Sequence, residues 1–423
     1  MMHMTVPSIA IVGSGPSGCY VAQALRKAWA EAPISVFERL PVPYGLARYG
    51  VAPDHPGTKA VTHQFARLFE RDNIRFCGNL EIGRDITLNE LREQFDIVVL
   101  ALGLSGDSLL GIPGDRLSGI VGAGQLTRLL NDHPDEGETP PALGERIAVI
   151  GNGNVAIDLI RLLSKQEDEF VGSDLSPQSL AWLRAQPVRQ IDVIGRSPAA
   201  QAKCDTVMLR ELGKLKGARF CLADDAVLGD AQQPAEQARL EAIQALIERE
   251  QPTEGVHVRL HFGQTPREVT GQTQVEGLRI ASHLSGEEKV LSLDSVITAI
   301  GFTEHAQQPL QRDNLCGDAD LASGRLDRGL YCAGWLRRGP RGTIPENRAD
   351  ARLVADAIIA AVDSGELPLG KPGVLPLPAH CLDYPAWQQI DRHELGQAGS
   401  ERTRQKLRNR AAMLAVARAQ EGA

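Results

Sequence analysis

The sequence predicts an α/β protein built on two parallel-sheet units, and three observations carry that expectation. Two glycine-rich turns, Gly13 to Gly18 and Gly151 to Ala156, each follow a short β-branched apolar run and precede a helical pattern. A chain of 423 residues has room for two to three domains at about 150 residues each. Apolar residues make up 43 % and charged residues 23 %, a globular balance that argues against a disordered chain.

Taken in order, Ser8 to Val12 reads as a buried strand, Cys19 to Ala30 as a helix and Ile34 to Glu38 as the next strand. That is one βαβ unit of the expected length. Ile97 to Leu102 and Val296 to Ile300 are further strand-sized apolar runs. Arg146 to Ile150, Val155 to Leu163 and Gln190 to Gly195 repeat the strand, helix and strand, with an extra helix expected at Pro177 to Ala185. Asn131 to Pro141 reads as a polar surface loop and Gln232 to Glu250 as a charged, Ala-rich helix. Leu367 to Pro378 is expected to be an extended connector, because four prolines interrupt it. Glu401 to Arg418 reads as a basic solvated helix with Leu407, Ala411, Leu414 and Ala415 on one side.

The net charge of −8 argues against a nucleic-acid binder. No apolar run approaches the roughly 18 residues of a membrane span. The seven cysteines (Cys19, Cys77, Cys204, Cys221, Cys316, Cys332 and Cys381) form no CxxC pair. That argues against a disulfide framework, a redox dithiol, a structural zinc site or a built-in iron–sulfur cluster, and no metal site is expected. With no targeting segment read at the N-terminus, a cytoplasmic, reducing location is expected.

The chemistry lies in the two turns. In Gly13-Ser14-Gly15-Pro16-Ser17-Gly18, the first glycine permits the tight turn and the second lets backbone approach a pyrophosphate. The third lets helix pack against strand. The following helix N-terminus offers unpaired N–H groups and a positive dipole end. Glu38, at the end of the next strand, is placed to accept hydrogen bonds from a ribose. The second motif is Gly151-Asn152-Gly153-Asn154-Val155-Ala156, and the strand after it ends in Gly195-Arg196. An Arg there suits a 2′-phosphate, so NADP(H) is expected over NAD(H), which stays possible. Two such Rossmann-like units suggest FAD together with a nicotinamide, hence hydride transfer through a flavin.

The stretch from Pro41 to Pro56 (PVPYGLARYGVAPDHP), the stretch from Gly334 to Ile344 (GWLRRGPRGTI) and Trp387-Gln388-Gln389-Ile390-Asp391 resemble adrenodoxin-reductase-type ferredoxin–NADP reductases. These belong to the glutathione-reductase-like flavoproteins. The resemblance runs from about Ile9 to the C-terminal helix. It implies an NADP-binding domain, 105–331, inserted into an FAD-binding domain made of 1–104 and 332–423. It implies that Gly15, Pro16, Ser17, Glu38, Leu46 and Ile82 hold the adenine half or the pyrophosphate of FAD, and that Trp335 and Gly342, Thr343 and Ile344 line the flavin ring. Backbone N–H groups at Gly339 and Gly342, at a helix start, would stabilise negative charge on the flavin edge. It places His55 and Glu211 near the nicotinamide, and with Trp335 they form the expected catalytic set.

The chain also departs from the family pattern. Two adjacent arginines for the 2′-phosphate are usual, whereas here Arg196 is followed by Ser197 and Pro198. The family's first Glu of the next helix falls on Met208, and Lys203 stands where a small residue is usual. The expected activity is hydride transfer from NADPH to flavin N5, followed by one-electron release to an iron–sulfur ferredoxin. Arg210, Arg239, Arg337, Arg338 and Arg341 are candidates for docking that acidic partner. The alternatives are a flavin oxidoreductase reducing a quinone or dye, and a catalytically silent FAD- or nucleotide-binding protein.

Overall fold

The computed structural model describes residues 6–137, 139–317, 319 and 321–419. The chain divides into two compact units. One holds 1–106, 131–135 and 302–423; the other holds 107–130 and 136–301.

The first unit carries a six-stranded sheet in the order Arg325–Asp327, Leu330–Cys332, Ile97–Leu100, Ile9–Val12, Ile34–Phe37, Arg75–Cys77. All pairings are parallel except that of Arg325–Asp327 with its neighbour. The two middle strands, Ile97–Leu100 and Ile9–Val12, are apolar at every position because both faces are covered. Ile9, Ile11, Val36 and Val99 face one core, and Ala10, Val12, Phe37 and Val98 face another. Helix Pro16–Ala28 packs on helix Ile344–Asp363 over the first of these. Pro16 opens its helix three residues earlier than the sequence suggested, since Pro fits the first helical turn, where its missing N–H costs nothing.

The second unit has a six-stranded, all-parallel sheet. Its order is Ile120–Gly122, Ser295–Thr298, Arg146–Ile150, Gln190–Gly195, Val256–Phe262, Ala218–Leu222. An antiparallel sheet of Gln264–Thr270, Gly277–Ser282 and Glu288–Ser292, which the sequence reading did not anticipate, packs its Val269, Leu278 and Ile280 onto Ala148, Ile150 and Ile194. This unit ends at Gly301 rather than at the expected 331, because Arg325–Asp327 and Leu330–Cys332 are strands of the other sheet.

Two further expectations are corrected. Asn131 to Pro141 was expected at the surface, but Asn131, Asp132 and His133 are buried. Asn131 accepts from Lys59 Nζ (2.5 Å) and Lys406 Nζ (3.4 Å), Asp132 pairs with Arg408 (3.3 Å), and His133 packs edge-on to Tyr49. The basic tail is helical only over Arg410–Arg418, with Met413 and Ala417 as its buried stripe. Residues before it stay irregular because their groups are spent elsewhere. Arg404 and the Leu407 amide bind Glu394, and Lys406 reaches Asn131.

Candidate functional site

Within the first unit, the turn after Ile9–Val12 is shaped by two glycines that the protein itself demands. Gly13 has φ +107, and a Cβ there would lie 2.4 Å from the Ala101 carbonyl oxygen; one on Gly18 would lie 1.9 Å from that of Gly13. Gly15 is different. Its backbone is ordinary (φ −68, ψ 178), and a Cβ would meet only Gly45 Cα, at 3.9 Å. Nothing in the protein itself requires a glycine there, and the open space over its Cα would admit a close-lying pyrophosphate. No side chain caps the helix that Pro16 begins.

Glu38 does more than the sequence reading gave it. Its Oε2 accepts from the Ser14 amide (3.1 Å) and hydroxyl (2.7 Å), and its Oε1 from the Leu40 amide (3.1 Å). A carboxylate offers about four acceptor sites, so one is left for a ribose hydroxyl. Tyr44 sits in the left-handed region (φ 84), donates to Ser14 O and bonds Tyr384 through its phenol at 2.8 Å. Leu46 follows on helix Gly45–Tyr49, half-buried, and Ile82 is buried in the second core.

The Gly334 to Ile344 stretch meets this turn. A Cβ on Gly334 would strike Ser17 Oγ at 2.1 Å, and Ser17 Oγ donates to Asn347 Oδ1 at 3.0 Å. Asp350, buried on helix Ile344–Asp363, fixes the loop. It accepts from the Gly334 amide (2.6 Å) and from Arg337 Nε (2.8 Å), and Arg338 lies 3.0 Å away. Trp335 stacks on Phe302 (5.1 Å, 27°), and its buried indole N–H has no partner. A buried unsatisfied donor calls for an explanation, and a ligand acceptor supplies one. The Thr343 amide and hydroxyl both go to Glu346 in a capping box. Of Gly342, Thr343 and Ile344, expected to line the flavin ring, Thr343 thus has its amide and hydroxyl engaged within the protein. Asp350, Asn347 and Phe302 escaped the sequence reading, because a buried acid on an amphipathic helix has no local signature.

In the second unit the pattern repeats. Gly151 (φ +117) is required, since a Cβ would lie 2.2 Å from Ala299 O, while Gly153 has φ −89 and nothing within 4 Å. Asn154 starts the helix Asn154–Ser164 and exchanges two hydrogen bonds with Asp205 (2.7 and 2.9 Å). Val155 follows it, half-buried. Asn152 lies against Gly195 on one side and accepts from the Lys203 amide (3.5 Å) on the other, with its Nδ2 buried and unpartnered. Exposed Arg196 and Lys203 thus flank the loop, with Ser197 half-buried between strand and helix.

The three expected catalytic residues divide between the units. His55 and Trp335 belong to the first, on separate loops, and Glu211 to the second. His55 is half-buried and begins the short helix Pro56–Lys59, its carbonyl accepting from Lys59 N at 3.1 Å. Glu211 lies 3.6 Å from the buried guanidinium of Arg161, which also donates to Asp158. Among the docking candidates, Arg239 closes the carbonyls of Cys204 and Ala200, and Arg337 and Arg338 are bound to Asp350. These three hold the fold; Arg210 and Arg341 are exposed.

A profile of the pyridine nucleotide-disulphide oxidoreductase family matches residues 7–316. The chain is 46 % identical over 420 residues to cindoxin reductase of Citrobacter braakii, covering 97 % of this chain and 91 % of that protein. It is 32 % identical over 450 residues to the mitochondrial NADPH:adrenodoxin oxidoreductase of Mus musculus, covering 96 % of this chain and 91 % of that one. Among solved structures, FprA from Mycobacterium tuberculosis in complex with NADPH superposes with a TM-score of 0.85 at 29 % identity, over 97 % of this chain and 99 % of that one.

Proposed function

The chain belongs to the pyridine nucleotide-disulphide oxidoreductase family, among its adrenodoxin and ferredoxin reductases, and from that premise we propose how its two units divide one reaction. The protein is an FAD- and NADP(H)-dependent oxidoreductase of the ferredoxin–NADP⁺ reductase type, and its protein partner is an iron–sulfur ferredoxin. When bound, FAD supplies the two-electron to one-electron conversion, accepting hydride from NADPH and passing electrons on singly.

The residues of the first unit fit the flavin nucleotide. Gly15 leaves room for a pyrophosphate, with Pro16 and Ser17 opening the helix N-terminus beneath it, and Glu38 keeps one acceptor site for a ribose. Trp335 offers its indole N–H, and Asp350 holds that loop still so that Gly342 and Ile344 stay in position. The residues of the second unit fit NADP(H). Gly153 leaves the corresponding room, Asn152 and Asn154 stiffen the loop, and Arg196 supplies charge for a 2′-phosphate. On this reading 107–130 and 136–301 form the NADP domain, and neither His55 of the first unit nor Glu211 of the second need supply a proton, since hydride transfer needs no acid.

The single observation that carries the reading is the pair of middle glycines, Gly15 and Gly153, which the protein itself does not need. The decisive experiment is the visible spectrum of the purified protein, before and after anaerobic NADPH, followed by ferredoxin-dependent cytochrome reduction. A yellow protein bleached by NADPH, with turnover that needs ferredoxin, is expected. Bleaching with turnover only on a small dye would favour the quinone- or dye-reducing alternative. Among the described residues no helix is long and apolar enough to cross a membrane, and we assign the protein to a bacterial-type cytoplasm.

A further inference from the structure

At the edge of the parallel sheet in the second unit, Ala218–Leu222 lies beside Val256–Phe262 with Arg219 opposite His257 and Cys221 opposite Arg259. These alternate positions share one face. On it, Cys221 Sγ is 3.1 Å from His257 Nε2, and both residues are partly exposed. The next strand inward places Gln190 opposite His257 and Asp192 opposite Arg259. Asp192 is occupied by His261 Nε2 (2.7 Å) and Gln190 Nε2 (2.6 Å), and Arg259 is 3.9 Å away, at the limit of an ion pair. Burial, then the charges of Arg219 and Arg259, disfavour the protonated form of His257 more than Asp192 favours it. At neutral pH its imidazole is therefore mainly neutral, and in the tautomer protonated at Nδ1 its Nε2 accepts from the Cys221 thiol.

The other cysteines differ. Cys19, Cys77, Cys204, Cys316 and Cys332 are buried. Burial pushes the Cys204 thiol up to about 11 and that of Cys332 to about 12. Cys381 is partly buried, and its thiol bonds Cys77 instead of a base. Cys221 alone among the seven combines partial exposure with an imidazole at hydrogen-bond distance, on a face that also carries Arg219 and Arg259 at neighbouring positions.

We propose that Cys221 is a thiol-modification site for an anionic low-molecular-weight disulfide of the glutathione type. Cys221 Sγ attacks one sulfur of the disulfide, a new S–S bond forms as the old one breaks, and the departing thiolate takes the proton that His257 Nε2 removed from Cys221. The redox balance is closed, since one disulfide and one thiol give one mixed disulfide and one thiol. Arg219 and Arg259 suit the carboxylates of such a disulfide.

The native holoprotein is treated with oxidised glutathione, and its mixed disulfides are mapped by peptide mass spectrometry, which needs no variant. The expected result is modification of Cys221 first. His257→Asn should slow it roughly tenfold or more at neutral pH and move the rate–pH profile upward. Glutathione disulfide should outpace the cationic disulfide cystamine, and R219Q should shrink that preference. First modification at Cys381 or at a buried cysteine overturns the proposal, as does a His257→Asn variant with unchanged rate and pH profile. Equal rates with the anionic and cationic disulfides overturn the assignment of ligand class.

Discussion

At the scale of single residues, glycines in the same motif answer to different causes. Gly13, Gly18 and Gly151 are fixed by carbonyl oxygens that leave no room for a Cβ, whereas Gly15 and Gly153 have ordinary backbone angles and open space. Gly15→Val should therefore fold with a thermal midpoint close to that of the wild type and purify colourless. A fully yellow Gly15→Val protein would sink the flavin assignment. Gly13→Val, by contrast, should fail to fold. Gly153→Val should keep its flavin and raise the KM for NADPH at least tenfold in steady-state kinetics. Arg196 is exposed, so a charge-assisted contact to a 2′-phosphate is partly screened by solvent and should sit at the low end of its range, about tenfold in affinity. Arg196→Ala should erase most of the NADPH preference in kcat/KM and leave NADH nearly unchanged. Ser197→Arg should widen the preference, unless Lys203 already supplies the second charge. A preference that survives in Arg196→Ala removes Arg196 from the coenzyme site.

At the scale of elements, the sequence signatures around Tyr44–Pro56 and Trp387 meet at one buried ion pair. Arg48 donates to both oxygens of Glu394 (2.6 and 2.7 Å), and its guanidinium lies over the rings of Tyr49 and Trp387. Arg404 and the Leu407 amide complete the acceptor's shell. This shell, together with Lys406 on Asn131 and Arg408 on Asp132, is why residues before Arg410 are not helical: a helix there would carry these groups away from their partners. Burial alone would raise the Glu394 pKa, but Arg48 outweighs it and holds the carboxyl below its ordinary 4.5. A depressed folded-state pKa contributes stability above the unfolded value and loses it as pH falls through the folded one. Asp135 acts in the same direction. Burial would raise it, but Arg39 and Arg410 hold it at about 2. Stability of the first unit should accordingly fall as pH drops from about 4.5 towards 2. Glu394→Gln leaves Arg48 buried without a counter-charge and should cost about 3–5 kcal/mol at neutral pH, read from denaturant midpoints, with a flatter acid limb. Superimposable acid limbs would show that this pair does not govern acid stability.

At the scale of the whole molecule, ferredoxins are typically acidic, so a chain of net charge −8 should dock one through local positive patches. Since Arg239, Arg337 and Arg338 are tied into the fold, the docking charge falls to exposed groups such as Arg210 and Arg341. Ferredoxin-linked turnover should decline as salt rises while reduction of a neutral dye stays level. Arg210→Glu and Arg341→Glu should each lower the former severalfold and spare the latter; equal salt dependence of the two reactions would remove electrostatic docking. What the sequence alone determined was the pair of strand, glycine turn and helix units, the acid at Glu38, the Arg at 196 and the family likeness. All of these rest on residues close together in the chain, where strand period, turn chemistry and helix start must agree within a short span. Only the tertiary structure decided which glycine of each motif is open, that Asp350 clamps the Trp335 loop, that Thr343 spends its donors on Glu346, and that Asn131 to His133 lie buried instead of at the surface. Arg48 and Glu394 stand 346 positions apart. A hydrogen bond across that separation is fixed by how the sheets and helices pack, and it leaves no period or spacing in the sequence.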